Sequence, residues 1–481
     1  MCDDMDTLND RNQIPLVVDL DGTVIATDLF WEALVAAVKQ NVFVLFLVPF
    51  WLLKGKAFLK SELAKRVTFD ATTLPYRKDF VDYLRAQKAS GRSLILATGS
   101  PEPFARAIAA HLGLFSDVIA TTPTLNLTST RKRDALTAKY GDAGFDYAGN
   151  SKDDVAVFDA AGQAIVVAPD AAAARFQKKS NSTLFAAPRV TLKTLAKLLR
   201  VHQWAKNSLI AVPAVLANEL ARPATEMAIV DAVIAFSLLA SAIYIVNDLF
   251  DLDADRRHKT KHKRPIAAGM IAIPTALVIA ALLVVCSVAI SLYLPPMFWI
   301  VMAGYALLTT LYTFAFKRML LIDVLALAGL YTIRVIAGAA ATQIEVSFWL
   351  LAFSVFFFLS LALVKRFVEL EGTPDTGLSK ISGRGYRVSD AQVLAESGIA
   401  ATFSSVLVLA LYIDSDQVRL VYHKPFLLWL LCPIVLYLSL RIWVLARRGE
   451  MHEDPVVFIL SDWRSQIMVL IGAALVFIAA W

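Results

Sequence analysis

Cysteine is scarce in this chain, with three residues in 481, at positions 2, 286 and 432. Their wide separation matches no zinc-ligand spacing and supports no disulfide framework. Cys286 and Cys432 fall in apolar runs, where they read as lipid-facing or core filler. A signal-peptide core is also missing, because the opening residues MCDDMDTLNDRNQ are acidic and polar. The N-terminal part is therefore expected to stay in the cytoplasm. Charged residues make up only 18% of the chain and hydrophobic ones 57%, a balance that excludes a wholly soluble globular protein. The net charge of +6 would suggest a polyanionic partner if it covered one soluble face. Most of the surplus instead sits in short loops between apolar runs, so nucleic acid is not an expected partner.

What is present changes character along the chain. Ordinary charge and mixed periodicity extend to about Lys206, and long apolar runs follow. Stretches of the length that crosses a bilayer, about 20 residues, occur at 205–221, 226–246, 272–293, 297–316, 321–342, 346–364, 396–414, 424–445 and 466–481. These nine predict an all-α polytopic membrane domain. With the N-terminus inside, the cytoplasmic connections hold sixteen Lys and Arg residues, from Arg256 to Arg464, against Arg222, Arg419 and Lys424 on the other side. That asymmetry sets the orientation and predicts a multi-pass protein of the inner, cytoplasmic membrane. Trp299, Trp349, Trp429, Trp443 and Trp481 lie near span ends, as interfacial anchors do.

The end of the second span reads YIVNDLFDLDADRRHKTKHKRPIAAG. On a continuing helix Asp248, Asp251 and Asp255 share one face. Crowded carboxylates near hydrocarbon repel one another unless a divalent cation neutralises them. An all-oxygen donor set suits Mg²⁺, which takes one or two carboxylates together with waters and substrate phosphates. The cations that follow, Arg256 through Arg264, are suited to the rest of a polyphosphate. A second group on the same side comprises Tyr312, Lys317 and Asp323, with Arg334 eleven residues beyond Asp323. That is about 16 Å along a helix, deep enough that a charge there should face a polar cavity. The connection KRFVELEGTPDTGLSKISGRGY adds Lys365, Arg366 and Arg384, and its glycines Gly383 and Gly385 suit a cover over a ligand.

The stretch NDLFDLDADRRHKTKHKRPIAAG resembles the first aspartate-rich motif of the UbiA superfamily of intramembrane prenyltransferases, over about residues 195 to 481. The pattern departs from most members at the second motif, where Asp323 has no acid four residues on. Tyr312, Lys317, Asp323 and Arg334, with LRVHQWAKN at the start of the first span, look instead like the decaprenyl-phosphate phosphoribosyltransferase branch. That resemblance implies phosphoribosyl pyrophosphate as donor, a polyprenyl phosphate lipid as acceptor and Mg²⁺ as cofactor. It implies that Asp248, Asp251 and Asp255 hold metal and pyrophosphate. Arg264, Lys317 and Arg334 would meet phosphates, and Asn247 and Tyr312 would orient the sugar, with Asp323, Lys365 and Arg366 as further substrate contacts. An aromatic-acceptor prenyltransferase is the alternative.

In the N-terminal part, IPLVVDLDGTVIATD reads as a buried parallel strand delivering Asp19 and Asp21 to a sheet edge. SLILATGS ends at Thr98, Gly99 and Ser100, which suit a phosphate, and Lys132 and the loop FDYAGNSKDD follow. This order resembles the haloacid dehalogenase (HAD) phosphohydrolase superfamily over residues 12 to about 180, and so predicts a Rossmannoid α/β domain. The resemblance implies Asp19 as nucleophile, Asp21 as acid/base, Thr98, Gly99 and Lys132 as phosphate ligands and Asp154 as a site acid, with Asp19, Asp21, Asn150 and Asp154 around a second Mg²⁺. Asn150 stands where the family usually has a metal-binding Asp, which leaves two readings open, a phosphatase and a degenerate binding domain. If it is active, its substrate would be the 5-phosphate of the lipid-linked phosphoribose. The apolar stretch Asn41 to Phe58 reads either as a cap helix that dips into the membrane interface or as a core helix. The expected domains are 1–180 (HAD-like, with a helical cap), 181–204 (amphipathic linker) and 205–481 (transmembrane transferase). Monomer and homo-oligomer both stay open.

Overall fold

The computed structural model describes residues 14–372, 385–451 and 454–481. Lys380, Gly383 and Arg384 of the expected cover lie outside the described residues. The chain divides into two compact units, Met1–Leu199 with Ile245–Ile279, and Arg200–Tyr244 with Ala280–Trp481.

The first unit is built on a six-stranded parallel sheet in the order β3-β2-β1-β4-β5-β6. Its strands are β1 Leu16–Val18, β2 Leu94–Pro101, β3 Asp117–Thr121, β4 Asp146–Gly149, β5 Ala164–Val167 and β6 Thr183–Phe185. Every residue of β1 is buried, because helices cover both faces of a parallel sheet and leave no solvated side. That is why LVV is an unbroken apolar run rather than an alternating one. The strand order reverses at β1, which has β2 on one side and β4 on the other. Open parallel sheets bind ligands at the carboxyl ends of the strands at such a reversal, and Asp19, Thr98 and Asn150 stand there. The sixth strand comes from the stretch read as linker, followed by the short helix Leu192–Leu198.

Asn41 to Phe58 forms helix Val44–Leu53 and the start of helix Lys56–Arg66. Of the first helix only Val44 and Trp51 are buried, so it is not a core helix. Phe43, Phe46, Phe50 and Leu53 are 65–85% exposed.

Among the described residues, eight helices are long and apolar enough to cross a bilayer: Pro223–Phe250, Ile273–Ser291, Pro296–Phe314, Ile322–Thr342, Phe348–Glu371, Val388–Ile413, Pro425–Arg447 and Trp463–Ala480. Eight of the nine expected spans have their helix. The first, 205–221, does not: it is a 3₁₀ run, Val201–Ala211, followed by the five-residue helix Val212–Leu216. Its polar residues are used locally, since Trp204 Nε1 donates to Ser241 and Asn207 Nδ2 donates to Ser237. Asn218, at φ +56°, then turns the chain. In the second unit small hydroxyls join helices, as in Trp443 Nε1 to Ser360 Oγ at 3.0 Å and Ser360 to Thr402 at 2.8 Å. Such interhelical bonds are each worth about 0.6 kcal/mol in lipid.

Candidate active sites

At the carboxyl edge of the sheet, Asp19 follows β1 and its backbone N–H donates to Ala148 O of β4. Lys132 Nζ donates to Asp19 Oδ1 (2.7 Å), the Tyr147 hydroxyl (2.9 Å) and Asp154 Oδ1 (3.3 Å), all of them buried. Burial alone would strip the Lys132 proton, but the Asp19 and Asp154 carboxylates outweigh it and hold its pKa above that of an ordinary lysine. Asp21 turns the other way. It accepts from Leu29 N–H (2.9 Å), Ser100 Oγ (2.6 Å) and Thr98 Oγ1 (3.3 Å). The structure thus brings Asp19, Asp21, Thr98, Lys132 and Asp154 together, with Gly99 beside them.

Asp154 is fully committed. Besides Lys132 and Tyr147 on Oδ1, its Oδ2 accepts from the N–H groups of Asn150 and Ser151 and from Ser151 Oγ. It organises the loop that presents Asn150. Thr23 Oγ1 is shared between Asp19 Oδ2 (3.5 Å) and Asn150 Oδ1 (3.4 Å), so one hydroxyl bridges the two side chains. Gly22, at φ +75°, lets the Asn150 amide pass, since a Cβ there would stand 2.2 Å from its Nδ2. A carboxylate and an amide oxygen are both donors that Mg²⁺ accepts, with one negative charge fewer than two carboxylates.

Asp19 is pushed up to about 7, chiefly by burial, with Asp154 and Asp21 adding to the rise and Lys132 opposing it. A nucleophilic carboxylate must be ionised, so any hydrolysis that Asp19 carries out should climb with pH towards 7. A divalent cation favours the ionised form, so raising the Mg²⁺ concentration should move that rising limb to lower pH. A limb that ignores Mg²⁺ would contradict this placement of the ion.

Sequence reasoning missed Lys60, which reaches from helix Lys56–Arg66 to Gly99 O (2.6 Å) and Asn126 Oδ1 (3.4 Å). It also missed Ser100 as a partner of Asp21 and Tyr147 as a partner of Lys132.

The acid-rich segment belongs to the same unit. Backbone bonds from Asp251 N to Asn247 O and from Asp255 N to Asp251 O carry a helical path past the end of helix Pro223–Phe250. Asp248 and Asp255 are both buried and both accept from one atom, Arg264 Nη1. Burial raises the Asp255 carboxyl above the ordinary range, against the pull of Arg264. Two carboxylates converging on a single cationic nitrogen form an oxygen donor set of the kind Mg²⁺ accepts. Among the described residues no three His, Cys, Asp or Glu side chains are grouped to hold a metal by themselves. Waters and substrate phosphates would therefore complete the shell. Asn247 and Asp251 are partly buried on the same path.

The second unit holds a polar cavity of about 320 Å³ lined by Arg200, Gln203, Lys206, Tyr244, Lys365, Val368, Glu369 and Asp454. Asp454 accepts from Lys206 (2.7 Å), Lys365 (3.1 Å) and the Tyr331 hydroxyl (2.8 and 2.9 Å). Burial would raise its carboxyl, but Lys365 and Lys206 outweigh it and hold it well below the usual carboxylate range. Arg334 lies one layer behind. Its Nε donates to Asn207 Oδ1 (2.9 Å), and its guanidinium stacks on Phe236, Tyr305 and Tyr331. Asp323 and Arg366 are fully buried, pair with each other at 2.8 Å, and bond Tyr386 and Glu369 respectively. Tyr312 is near Lys365 and Arg366. Neither Tyr312 nor Lys317 lines the cavity. Lys365 is thus the expected residue that the cavity uses. Arg200, Lys206, Tyr244 and Asp454 were missed, although LRVHQWAKN marked the segment that contains Lys206.

Residues 208–463 match the model of the UbiA prenyltransferase family, and residues 16–159 match that of haloacid dehalogenase-like hydrolases. The chain is 35% identical to uncharacterized protein y4nM of Sinorhizobium fredii, over 96% of this chain and 91% of that one. It is 37% identical to a decaprenyl-phosphate phosphoribosyltransferase of Mycolicibacterium smegmatis, over 40% of this chain and 61% of that protein. Among solved structures, it resembles a UbiA homolog from Archaeoglobus fulgidus bound to GPP and Mg²⁺. That match has 16% identity and a TM-score of 0.47, over 60% of this chain and 99% of the other. The chain is therefore a multi-pass membrane member of the UbiA prenyltransferase family that carries an N-terminal HAD-like domain.

Proposed function

We propose that the chain transfers a 5-phosphoribosyl group from phosphoribosyl pyrophosphate to a decaprenyl-type polyprenyl phosphate, with Mg²⁺, and that the HAD-like domain then removes the 5-phosphate. One observation carries the transferase reading. Asp248 and Asp255 close on a single cation, whereas Asp323, the acid at the place of the second aspartate-rich motif, is spent on Arg366. One acid cluster suits a donor whose pyrophosphate alone must be neutralised as it leaves. The similarity to decaprenyl-phosphate phosphoribosyltransferases supports the same choice.

In this reaction a phosphate oxygen of the lipid attacks C1 of the ribose. The C1–O bond breaks, and its electron pair leaves with pyrophosphate. The attacking phosphate is already ionised, so positioning and charge neutralisation do the catalysis. Mg²⁺ held by Asp248 and Asp255, with waters and phosphate oxygens, would supply neutralisation of the leaving group. Arg264 and Lys317 would meet donor phosphates, and Lys206, Lys365 and Arg200 another phosphate in the cationic cavity. Arg334 fixes Tyr331 and, through it, Asp454. Asn247 and Tyr312 would orient the sugar.

In the HAD-like domain, Asp19 attacks the 5-phosphate, and the P–O bond to the ribose breaks as Asp21 gives the sugar oxygen its proton. Water then attacks phosphorus, returns a proton to Asp21 and frees inorganic phosphate and Asp19. The excess of cations in the cytoplasmic connections supports an inner-membrane protein with this domain in the cytoplasm.

The test is pyrophosphate release by the purified full chain. It should require Mg²⁺, phosphoribosyl pyrophosphate and polyprenyl phosphate together. Release from an isoprenyl diphosphate with an aromatic acceptor, and none from phosphoribosyl pyrophosphate, would reject the reading.

A further inference from the structure

The phosphohydrolase site opens into a cavity of about 660 Å³ whose walls do not all come from the phosphohydrolase fold. One wall is Gly269, Met270, Ala272, Ile273 and Pro274, the segment that follows the acid-rich motif. Ile273 and Pro274 also begin the candidate membrane span Ile273–Ser291. This wall is fixed in place. Arg256 makes a two-pronged ion pair with Glu32, at 3.1 and 2.6 Å, with both side chains 4% exposed, and Thr27 Oγ1 donates to the same carboxylate. Gly269, at φ +68°, approaches Ala26 so closely that a Cβ would stand 2.4 Å from its carbonyl oxygen. A buried pair this well bonded is costly to break, because either partner left alone is a buried uncompensated charge.

The cap contributes Leu52, Lys56, Leu59 and Lys60 to the same cavity. Helix Val44–Leu53 has no charged residue and presents Phe46 and Phe50 to the outside at 69% and 65% exposure. An exposed patch of large apolar side chains on a chain with membrane spans belongs in the bilayer surface. Leu52 of that helix and Lys56 and Lys60 of the next line the cavity. The two lysines are one helical turn apart, and Lys60 touches Gly99 beside the transferred-phosphate residues. The cavity therefore offers apolar surface, two cations and Asp19, with Lys60 at Gly99 beside the nucleophile.

We infer that this pocket takes a phosphomonoester borne on a membrane-anchored phosphodiester lipid, with helix Val44–Leu53 seated in the leaflet, Lys56 and Lys60 at the inner phosphodiester and Asp19 at the terminal phosphate. The inference rests on the phosphatase reading above and adds the residues that would hold the lipid and its inner phosphodiester. The second anion gives the lysines something to recognise that a simple phosphomonoester lacks.

The experiment compares two substrates with the full chain in micelles and Mg²⁺: polyprenyl-phosphoryl ribose 5-phosphate and soluble para-nitrophenyl phosphate. In Phe46→Asp/Phe50→Asp, the ratio of the two kcat/KM values should fall at least about tenfold in disfavour of the lipid, the scale of keeping two aromatic side chains out of an apolar phase. Lys56→Ala should raise KM for the lipid about tenfold with little change in kcat, and Lys56→Arg should restore it. If the wild type hydrolyses both substrates alike and neither change alters the ratio, the inference is overturned while the phosphatase reading stands. If neither substrate is hydrolysed and Asp19→Asn is indistinguishable from wild type, both fall.

Discussion

Asp248→Asn is expected to reduce phosphoribosyl transfer by about a hundred- to a thousandfold, the usual scale for removing one preorganised stabiliser of transition-state charge, while the unfolding temperature stays near that of the wild type. Asparagine keeps the size of the side chain and an oxygen that accepts from Arg264 Nη1, so the local ion-pair geometry survives. What disappears is one negative charge of the two carboxylates that converge there, and with it affinity for a divalent cation. Raising Mg²⁺ should recover part of the rate. Transfer within a few-fold of wild type at low Mg²⁺ would show that Asp248 does not hold the ion. Arg264→Ala should behave differently. It leaves Asp248 and Asp255 facing each other, so it should lower stability in the absence of Mg²⁺ and regain it as Mg²⁺ is added.

The second large effect is expected at Asp454. Replacing it by alanine removes the acceptor shared by Lys206, Lys365 and Tyr331 and leaves Glu369 as the one acid among the described residues lining a cavity that holds Lys206, Lys365 and Arg200. Breaking a buried pair in this way costs about 3–5 kcal/mol. Thermal unfolding in detergent should show a clear drop, and transfer should fall with it. Binding of an anion should offset part of the loss, because phosphate can replace the missing carboxylate. An unchanged melting temperature together with unchanged transfer would remove Asp454, Lys206 and Lys365 from the site.

These residues differ in how far the sequence announced them. Asp19, Asp21, Thr98 and Lys132 were legible because a parallel sheet places its chemistry at strand ends, and each followed a recognisable apolar strand or opened the next helix. Asp248 and Asp255 were legible for a similar reason: three- and four-residue steps put acids on one helical face beside a run of cations. Asp454 was not, since it pairs with Lys206 across 248 positions in sequence and its surroundings, HEDP, read as an ordinary polar loop. Arg334 was noticed for its depth, yet depth says only that a charge needs partners. The structure supplies Asn207 and three aromatic rings as those partners.

The segment 205–221 shows the limit of composition. Its apolar content suits a span, but Lys206 and Asn207 are held by specific partners in a 3₁₀ run and Asn218 turns the chain. Periodicity alone does not reveal such tertiary bonds. Asp323 and Arg366 were read as substrate contacts because charges in a membrane domain are functional by default. They also pair with each other, at 2.8 Å.

The most direct measurement is the mass of the lipid made by the purified full chain from phosphoribosyl pyrophosphate, decaprenyl phosphate and Mg²⁺. The account predicts decaprenyl phosphate carrying one ribose from the wild type, and the same lipid carrying ribose 5-phosphate from Asp19→Asn. Unmodified decaprenyl phosphate in both, under conditions where the chain is folded and Mg²⁺ is present, would contradict it.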